Sequence, residues 1–178
     1  MNKAVFLDRD GTIMSDPGYI SDPDKVEIFV EAVEALKALK EAGYLLILIT
    51  NQSGIGRGYF TSEDLEKVNR RMSSLFEEHG VLFDGIYMCP HVDENKCTCR
   101  KPQPGLIFRA AREHDVDITV SYMVGNSGSD VMAGFAAGCR LNFLIGAEKG
   151  SLSRNGVLSV ENIEAAAEII LSLDETLK

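Results

Sequence analysis

Residues 44–49, YLLILI, form an apolar run unbroken by any charge, and Thr50, Asn51 and a glycine-rich stretch end it. A run of that length closed by turn residues reads as a strand buried on both faces. Such a strand needs helices above and below it, which points to a parallel sheet in an α/β chain. The rest of the sequence repeats the pattern. Residues 4–7 (AVFL) are another short apolar run that stops at charges. Between the two, Val33, Leu36 and Leu39 follow a helical period with Ala32, Ala35, Ala38 and Ala42, and Gly43 ends that helix. Further on, Thr61 caps a helix expected to reach about His79. Residues 84–88 predict a brief strand, and Pro104 starts a helix to about His114. Residues 119–124 predict a strand, and a helix starts at Gly128 or Ser129 and closes at Gly138. Residues 141–145 predict a strand, and 159–171 a final helix with Ser159 and Asn162 as cap positions.

Strands alternating with helices predict a Rossmann-like, three-layer α/β/α domain with a parallel sheet, occupying all of residues 1–178. The first connection is unusually long. Residues 11–28 contain Pro17, Gly18 and Pro23 and are expected to form a small flap. Acidic residues exceed basic ones by 27 to 18, which argues against a general nucleic-acid or anionic-membrane surface. No apolar run reaches the roughly 18 residues of a membrane span. The N-terminus does not read as a signal peptide, so the expected location is cytoplasmic. The acidic balance and small size make a monomer the expected state.

Three strand ends carry polar residues suited to chemistry. The first is Asp8-Arg9-Asp10-Gly11-Thr12. Side chains two apart share a face while a strand persists. One carboxylate can attack and the other handle a proton, or both can share Mg²⁺, a hard cation that prefers oxygen ligands. The second is Thr50-Asn51-Gln52-Ser53-Gly54-Ile55-Gly56-Arg57-Gly58. Its hydroxyls on Thr50 and Ser53, its backbone amides around Asn51 and the Arg57 guanidinium can surround phosphate. It is not a Walker loop, because the Gly-Lys-Ser/Thr ending is missing. The third is Gly125-Asn126-Ser127-Gly128-Ser129-Asp130, where Asp130 can orient a metal-bound water or a lysine, or simply complement the helix dipole.

Cys89, His91, Cys97 and Cys99 lie within eleven residues in the spacing C-x-H-x5-C-x-C. Their number and type suit tetrahedral Zn²⁺ in a closed structural site that pins a loop, residues 89–101, too polar to fold by burial. The fourth cysteine, Cys139, sits between Gly138 and Arg140 and suits packing. Arg100 and Lys101 follow the cluster directly. A pinned loop can aim Lys101 at phosphate and Asp8, and Arg100 at a more distant substrate oxygen.

With these residues in view, the sequence resembles the haloacid dehalogenase-type phosphatases. The matching stretches are FLDRDGT (6–12), LITNQSGIGRG (48–58), CPHVDENKCTCRKPQPG (89–105) and VGNSGSDVMAG (124–134). With the Cys/His loop, the set is similar to the branch of heptose bisphosphate and histidinol-phosphate phosphatases. The resemblance implies that Asp8 attacks phosphorus to form an aspartyl-phosphate. Asp10 would protonate the leaving alcohol and then activate water. Thr50 and Lys101 would bind phosphate. Mg²⁺ would bind Asp8, the backbone carbonyl of Asp10 and residue 126, with Asp130 behind them. The zinc loop would stand in for a large mobile cap. The family usually has Asp where this chain has Asn126, so weakened metal use is expected. Met14 stands where the branch often has Asn. The substrate expected is a small phosphorylated sugar, a heptose 1,7-bisphosphate cut at the 7-phosphate. The alternatives are histidinol phosphate, with Glu27 or Asp93 as carboxylates for its amine, and another small sugar phosphate. A sugar-phosphate binding module impaired in turnover is the alternative of another class.

Overall fold

The structure is a computed structural model that describes residues 1–146, 152–153 and 156–175. Among these residues the strands are β1 (Ala4–Leu7), β2 (Leu45–Asn51), β3 (Gly85–Cys89), β4 (Tyr122–Gly125), β5 (Leu141–Ile145), β6 (Leu152–Ser153) and β7 (Val157–Val160). The helices are α1 (Val30–Glu41), α2 (Ser53–Gly56), α3 (Ser62–Glu77), α4 (Gly105–Glu113), α5 (Gly128–Ala137) and α6 (Ile163–Glu175).

The strands form one sheet in the order β3-β2-β1-β4-β5-β7-β6. β1 pairs in parallel with β2 on one side and β4 on the other. The remaining pairs are parallel except for β6, which runs antiparallel to β7 at the edge. The chain builds outward from β1 to β3 and then returns to the opposite side of β1 for β4. The crevice at the carboxyl ends of β1 and β4 is therefore a topological switch point, where open α/β sheets bind ligands.

Strand alternation divides the core into two layers. Val5, Leu7, Leu46, Leu48, Tyr122 and Val124 cluster with Leu36 of α1, Met72 of α3 and Ile170 of α6. Phe6, Ile47, Ile49 and Met123 point the other way and cluster with Ile107 of α4 and Ala133 of α5. The long first connection is rooted in this core, since Ile13, Met14, Ile20 and Val26 are buried in the first cluster. Backbone bonds from Ser15 N to Glu27 O (2.8 Å) and from Phe29 N to Ile13 O (3.0 Å) tie its two ends together. Met14 is fully buried in the first cluster and is not among the residues lining the main cavity.

Local signals explain most helix ends. Thr61 and Asp64 form a reciprocal capping box at α3. Gly138 ends α5 in the left-handed conformation, at φ 89°. Asn162 Oδ1 accepts from Ala165 N at 2.9 Å and caps α6. Two expectations need correction, and one element was not anticipated. The last helix does not start at Ser159, because residues 157–160 pair with β5 as β7 and the helix begins at Ile163. The expected strand over 119–124 starts at Tyr122, because Asp117 caps a 3-10 turn over Ile118–Val120. The glycine-rich stretch after β2 contains a single helical turn, α2.

Candidate active site

A cavity of about 320 Å³ opens at the carboxyl ends of β1, β2 and β4. Asp8 and Asp10 reach it from β1, Thr50 to Ser53 from β2, and Asn126 to Asp130 from β4. Lys101 enters from the loop after β3. The structure thus brings together Asp8, Asp10, Thr50, Asn51, Ser53, Lys101, Asn126 and Asp130.

Asp8 is the first residue beyond β1, and its N–H still bonds to Val124 O of β4 at 2.9 Å. The chain then turns at Gly11, whose φ of +73° suits glycine. A Cβ there would also stand 2.1 Å from Asn126 Nδ2, so the glycine lets the two loops close on each other.

Lys101 is almost fully buried. Its ammonium donates to Asp8 Oδ1 at 2.6 Å and to Ile49 O at 2.6 Å, and it lies 2.7 Å from Asp130 Oδ1. These partners account for all three of its N–H groups. Asn51 fixes the lysine backbone from both sides: its Nδ2 donates to Lys101 O at 3.1 Å, and its Oδ1 accepts from Lys101 N at 3.0 Å. Asp130 does two things at once. Its Oδ2 accepts from Ser127 N (2.9 Å) and Ser127 Oγ (2.7 Å) to cap α5, while Oδ1 holds the lysine. A Cβ at Gly125 would collide with the Asp130 carboxylate at 2.4 Å, so that glycine gives Asp130 room.

Burial pushes the Asp8 carboxyl up to about 6, against the pull of the Lys101 ammonium. Burial also opposes charge on Lys101, but Asp8 and Asp130 outweigh it and hold the lysine above its ordinary value. A carboxylate, a cation and a second carboxylate therefore share one water-poor corner.

Asp10 occupies a different part of the cavity. Its carboxylate accepts from Gln52 Nε2 at 2.7 Å, and Gln52 Nε2 also lies 2.8 Å from Thr50 Oγ1. Arg9 binds the same carboxylate through Nε (3.1 Å) and Nη2 (2.9 and 3.0 Å). Arg9 and Gln52 stand inside the strand-end motifs of the sequence, but neither was given a role there. Asp16 and Tyr19 of the flap also line the cavity and were not singled out from sequence. Arg57 is exposed and is not among the lining residues. Arg100 faces a neighbouring smaller hollow and pairs with Asp93. Glu27 and Asp93 do not line the main cavity.

Cys89, His91, Cys97 and Cys99 bring four ligand atoms within 4.8 Å of one another. Cys89 Sγ lies 3.5 Å from His91 Nδ1 and 3.6 Å from Cys97 Sγ. His91 Nδ1 lies 3.3 Å from Cys99 Sγ. Cys99 Sγ lies 3.1 Å from Cys89 Sγ and 3.4 Å from Cys97 Sγ, so the cluster is somewhat tighter than the roughly 3.5–3.8 Å separations that tetrahedral zinc with bonds of about 2.0–2.3 Å would set. All four cysteines are free thiols. The cavity is instead lined by the oxygen-bearing residues Asp8, Asp10 and Asn126, a donor type that suits a hard divalent cation.

Comparison with known proteins agrees with this geometry. Residues 3–151 match the family model described as polynucleotide kinase 3 phosphatase. A D-glycero-beta-D-manno-heptose-1,7-bisphosphate 7-phosphatase of Helicobacter pylori is 48% identical over 145 residues, covering 81% of this chain and 84% of that protein. The enzyme of the same description from Haemophilus ducreyi is 45% identical over 178 residues, covering 96% of this chain and 93% of that one. A crystal structure of D,D-heptose 1,7-bisphosphate phosphatase from B. bronchiseptica, complexed with magnesium and phosphate, superposes with a TM-score of 0.86 at 33% identity. It covers 96% of this chain and 99% of its own.

Proposed function

We propose a substrate and a division of labour for a chain that belongs to the haloacid dehalogenase-type phosphatases, in the polynucleotide kinase 3 phosphatase family. It hydrolyses a phosphate monoester with Mg²⁺, and the substrate is D-glycero-D-manno-heptose 1,7-bisphosphate, cut at the 7-phosphate. The observation that carries the assignment is the near full-length similarity to the heptose bisphosphate phosphatase of Haemophilus ducreyi, which spans flap, zinc loop and cavity alike. The magnesium and phosphate bound in the B. bronchiseptica enzyme support the cofactor.

An Asp8 oxygen attacks phosphorus, the bond from phosphorus to the sugar oxygen breaks, and an aspartyl-phosphate forms. Asp10 gives its proton to the departing sugar oxygen. It then takes a proton from the water that attacks the aspartyl-phosphate, releasing phosphate and restoring Asp8. Thr50, Ser53 and Lys101 hold the phosphate oxygens. The oxygens of Asp8, Asp10 and Asn126 would hold Mg²⁺, which supplies positive charge against the equatorial oxygens of the transferring group. Asp130 keeps Lys101 aimed at Asp8. Asn51 holds the loop that carries the lysine, and Arg57 and Arg100 serve the outer end of a longer substrate.

We read residues 1–178 as one phosphatase domain, whose last three residues lie outside the described ones. Residues 11–28 form its flap. Residues 89–101 form a loop held by Zn²⁺ on Cys89, His91, Cys97 and Cys99, in place of a large cap. Histidinol phosphate is the weaker candidate, because the similar proteins act on the heptose ester; Glu27 and Asp93 do not line the cavity, and Asp16 is the flap carboxylate that does. Phosphate release from heptose 1,7-bisphosphate, histidinol phosphate and simple hexose phosphates, with Mg²⁺ and with chelator, tests the assignment. The heptose ester should be turned over fastest and chelator should stop it. Binding without phosphate release would instead identify a sugar-phosphate binding module.

A further inference from the structure

We propose that Arg9 is a positioning residue that aims Asp10 at the leaving group, held in turn by Asn69 of α3. The proposal rests on the role given to Asp10 above and extends it to a side chain that touches no substrate.

Arg9 is completely buried, which is costly for a cation unless its donors are matched. They are matched in a directed way. Nε and Nη2 both turn to Asp10, at 2.9–3.1 Å, and Nη1 donates to Asn69 Oδ1 at 2.7 Å. Sixty positions separate Asn69 from Arg9, so the bond ties the cavity to α3. On the far side of the carboxylate, Gln52 Nε2 donates to Asp10 Oδ2 at 2.7 Å. Asp10 is therefore gripped from two directions, by a guanidinium and by an amide. Simple charge neutralisation would need neither the forked geometry nor the Asn69 anchor. The Arg9 backbone adds to the rigidity, because its carbonyl accepts from Thr12 N at 3.3 Å and from Ile13 N at 3.1 Å. A proton donor displaced by an ångström loses much of its effect, so a fixed carboxylate matters most where the departing oxygen needs a proton.

That dependence supplies the test. A primary sugar phosphate leaves as a strongly basic alkoxide and needs the proton, whereas p-nitrophenyl phosphate leaves as a stable anion and does not. The quantity compared is kcat/KM, which ends at aspartyl-phosphate formation and so excludes the later hydrolysis step. Asp10→Asn is the reference and should lose activity on heptose 1,7-bisphosphate far more than on p-nitrophenyl phosphate. Asn69→Ala, on a half-buried helix position, should reproduce the pattern more weakly, by about tenfold on the sugar ester. Asn69→Asp keeps an acceptor for Nη1 and should restore most of the loss. Arg9→Met should show a larger selective loss than Asn69→Ala. If it does not fold, the two Asn69 variants decide the question alone. Equal losses on both esters, or none, in Asn69→Ala while Asp10→Asn loses selectively would overturn the positioning role. An Asp10→Asn protein without selective loss would overturn the role of Asp10 itself, and the proposal with it.

Discussion

Lys101 Nζ lies 2.6 Å from Asp8 Oδ1, although 93 positions separate the two residues. The loop after β3 delivers the lysine and the end of β1 delivers the aspartate. Between them they set a cation against the group that would attack phosphorus. The contact is buried on both sides, and Asp130 closes it from behind at 2.7 Å.

Lys101→Met should therefore do two things. It removes a cation from the phosphate site, so kcat/KM should fall by about 10²–10³-fold. It also leaves Asp8 and Asp130 facing each other in a dry corner without their counter-charge. Breaking a buried pair in this way costs roughly 3–5 kcal/mol. Denaturant unfolding should read that loss in the metal-free protein. The double variant Lys101→Met with Asp130→Asn should recover part of the stability and none of the activity. A fully stable single variant would mean that the two carboxylates do not depend on the lysine.

The loop carrying Cys89, His91, Cys97 and Cys99 gives a second expectation. One zinc should copurify per chain and leave under a strong chelator, with a fall in melting temperature. Ligand thiols must lose protons to bind metal, so mild acid should release the ion before it unfolds the sheet. Cys97→Ser should lower the zinc content and the melting temperature together. Elemental analysis showing no zinc in metal-replete protein would remove the ion from the loop.

Much of this layout could be read from residue order, for physical reasons. Strands such as AVFL and LLILIT are apolar on both faces, so their burial follows from composition alone. Asp8, Thr50 and Asn126 were legible because each follows such a run directly. Four soft ligands in eleven residues are rare enough to stand out. What stayed hidden depends on long-range pairing. Residues 157–160 become β7 only because β5 lies alongside, and local propensity at Ser159 suggested a helix start instead. Arg9 and Gln52 look like ordinary surface residues until burial and the Asp10 carboxylate give them partners. Arg57 lies exposed at the end of α2, outside the cavity lining, so the role proposed for it at a substrate's outer end depends on a ligand that reaches beyond the cavity.

Asp174 makes the end of the sheet opposite the cavity sensitive to acid. Its carboxylate pairs with Lys3, just before β1, and accepts from Tyr44 Oη at 2.8 Å, just before β2. Burial raises its titration, but the bonds from Lys3 and Tyr44 win, and the group sits below its ordinary 3.8. A lowered folded value stabilises the protein above the unfolded value and is lost as pH falls through the folded one. Asp174→Asn should therefore be less stable than the parent near neutrality. The gap between the two should close as pH drops below about 4. Urea unfolding followed by circular dichroism at pH 7 and pH 3 reads the difference. A gap of equal size at both pH values would show that the carboxylate charge contributes nothing.

Position 126 is expected to set how the cavity treats Mg²⁺. Asn126 follows Gly125 at the end of β4, and its amide lies against Gly11 beside the Asp8 loop. An amide oxygen can coordinate the ion but brings no charge. Asn126→Asp adds a negative charge to a corner that already holds Asp8, Asp10 and Asp130. Without metal, that charge is repulsive, and the melting temperature should fall. With metal, the same charge attracts the ion, so Mg²⁺ should raise the melting temperature of the variant by more than that of the parent. Calorimetric titration should show tighter Mg²⁺ binding in the variant. Phosphate release at saturating substrate should reach half its maximum at lower Mg²⁺, and the maximum itself should rise with better anchoring of the ion. If Asn126 only shapes the turn into α5, both proteins will share one Mg²⁺ affinity and one thermal response. Equal titration curves would therefore place the metal on other oxygens of the cavity.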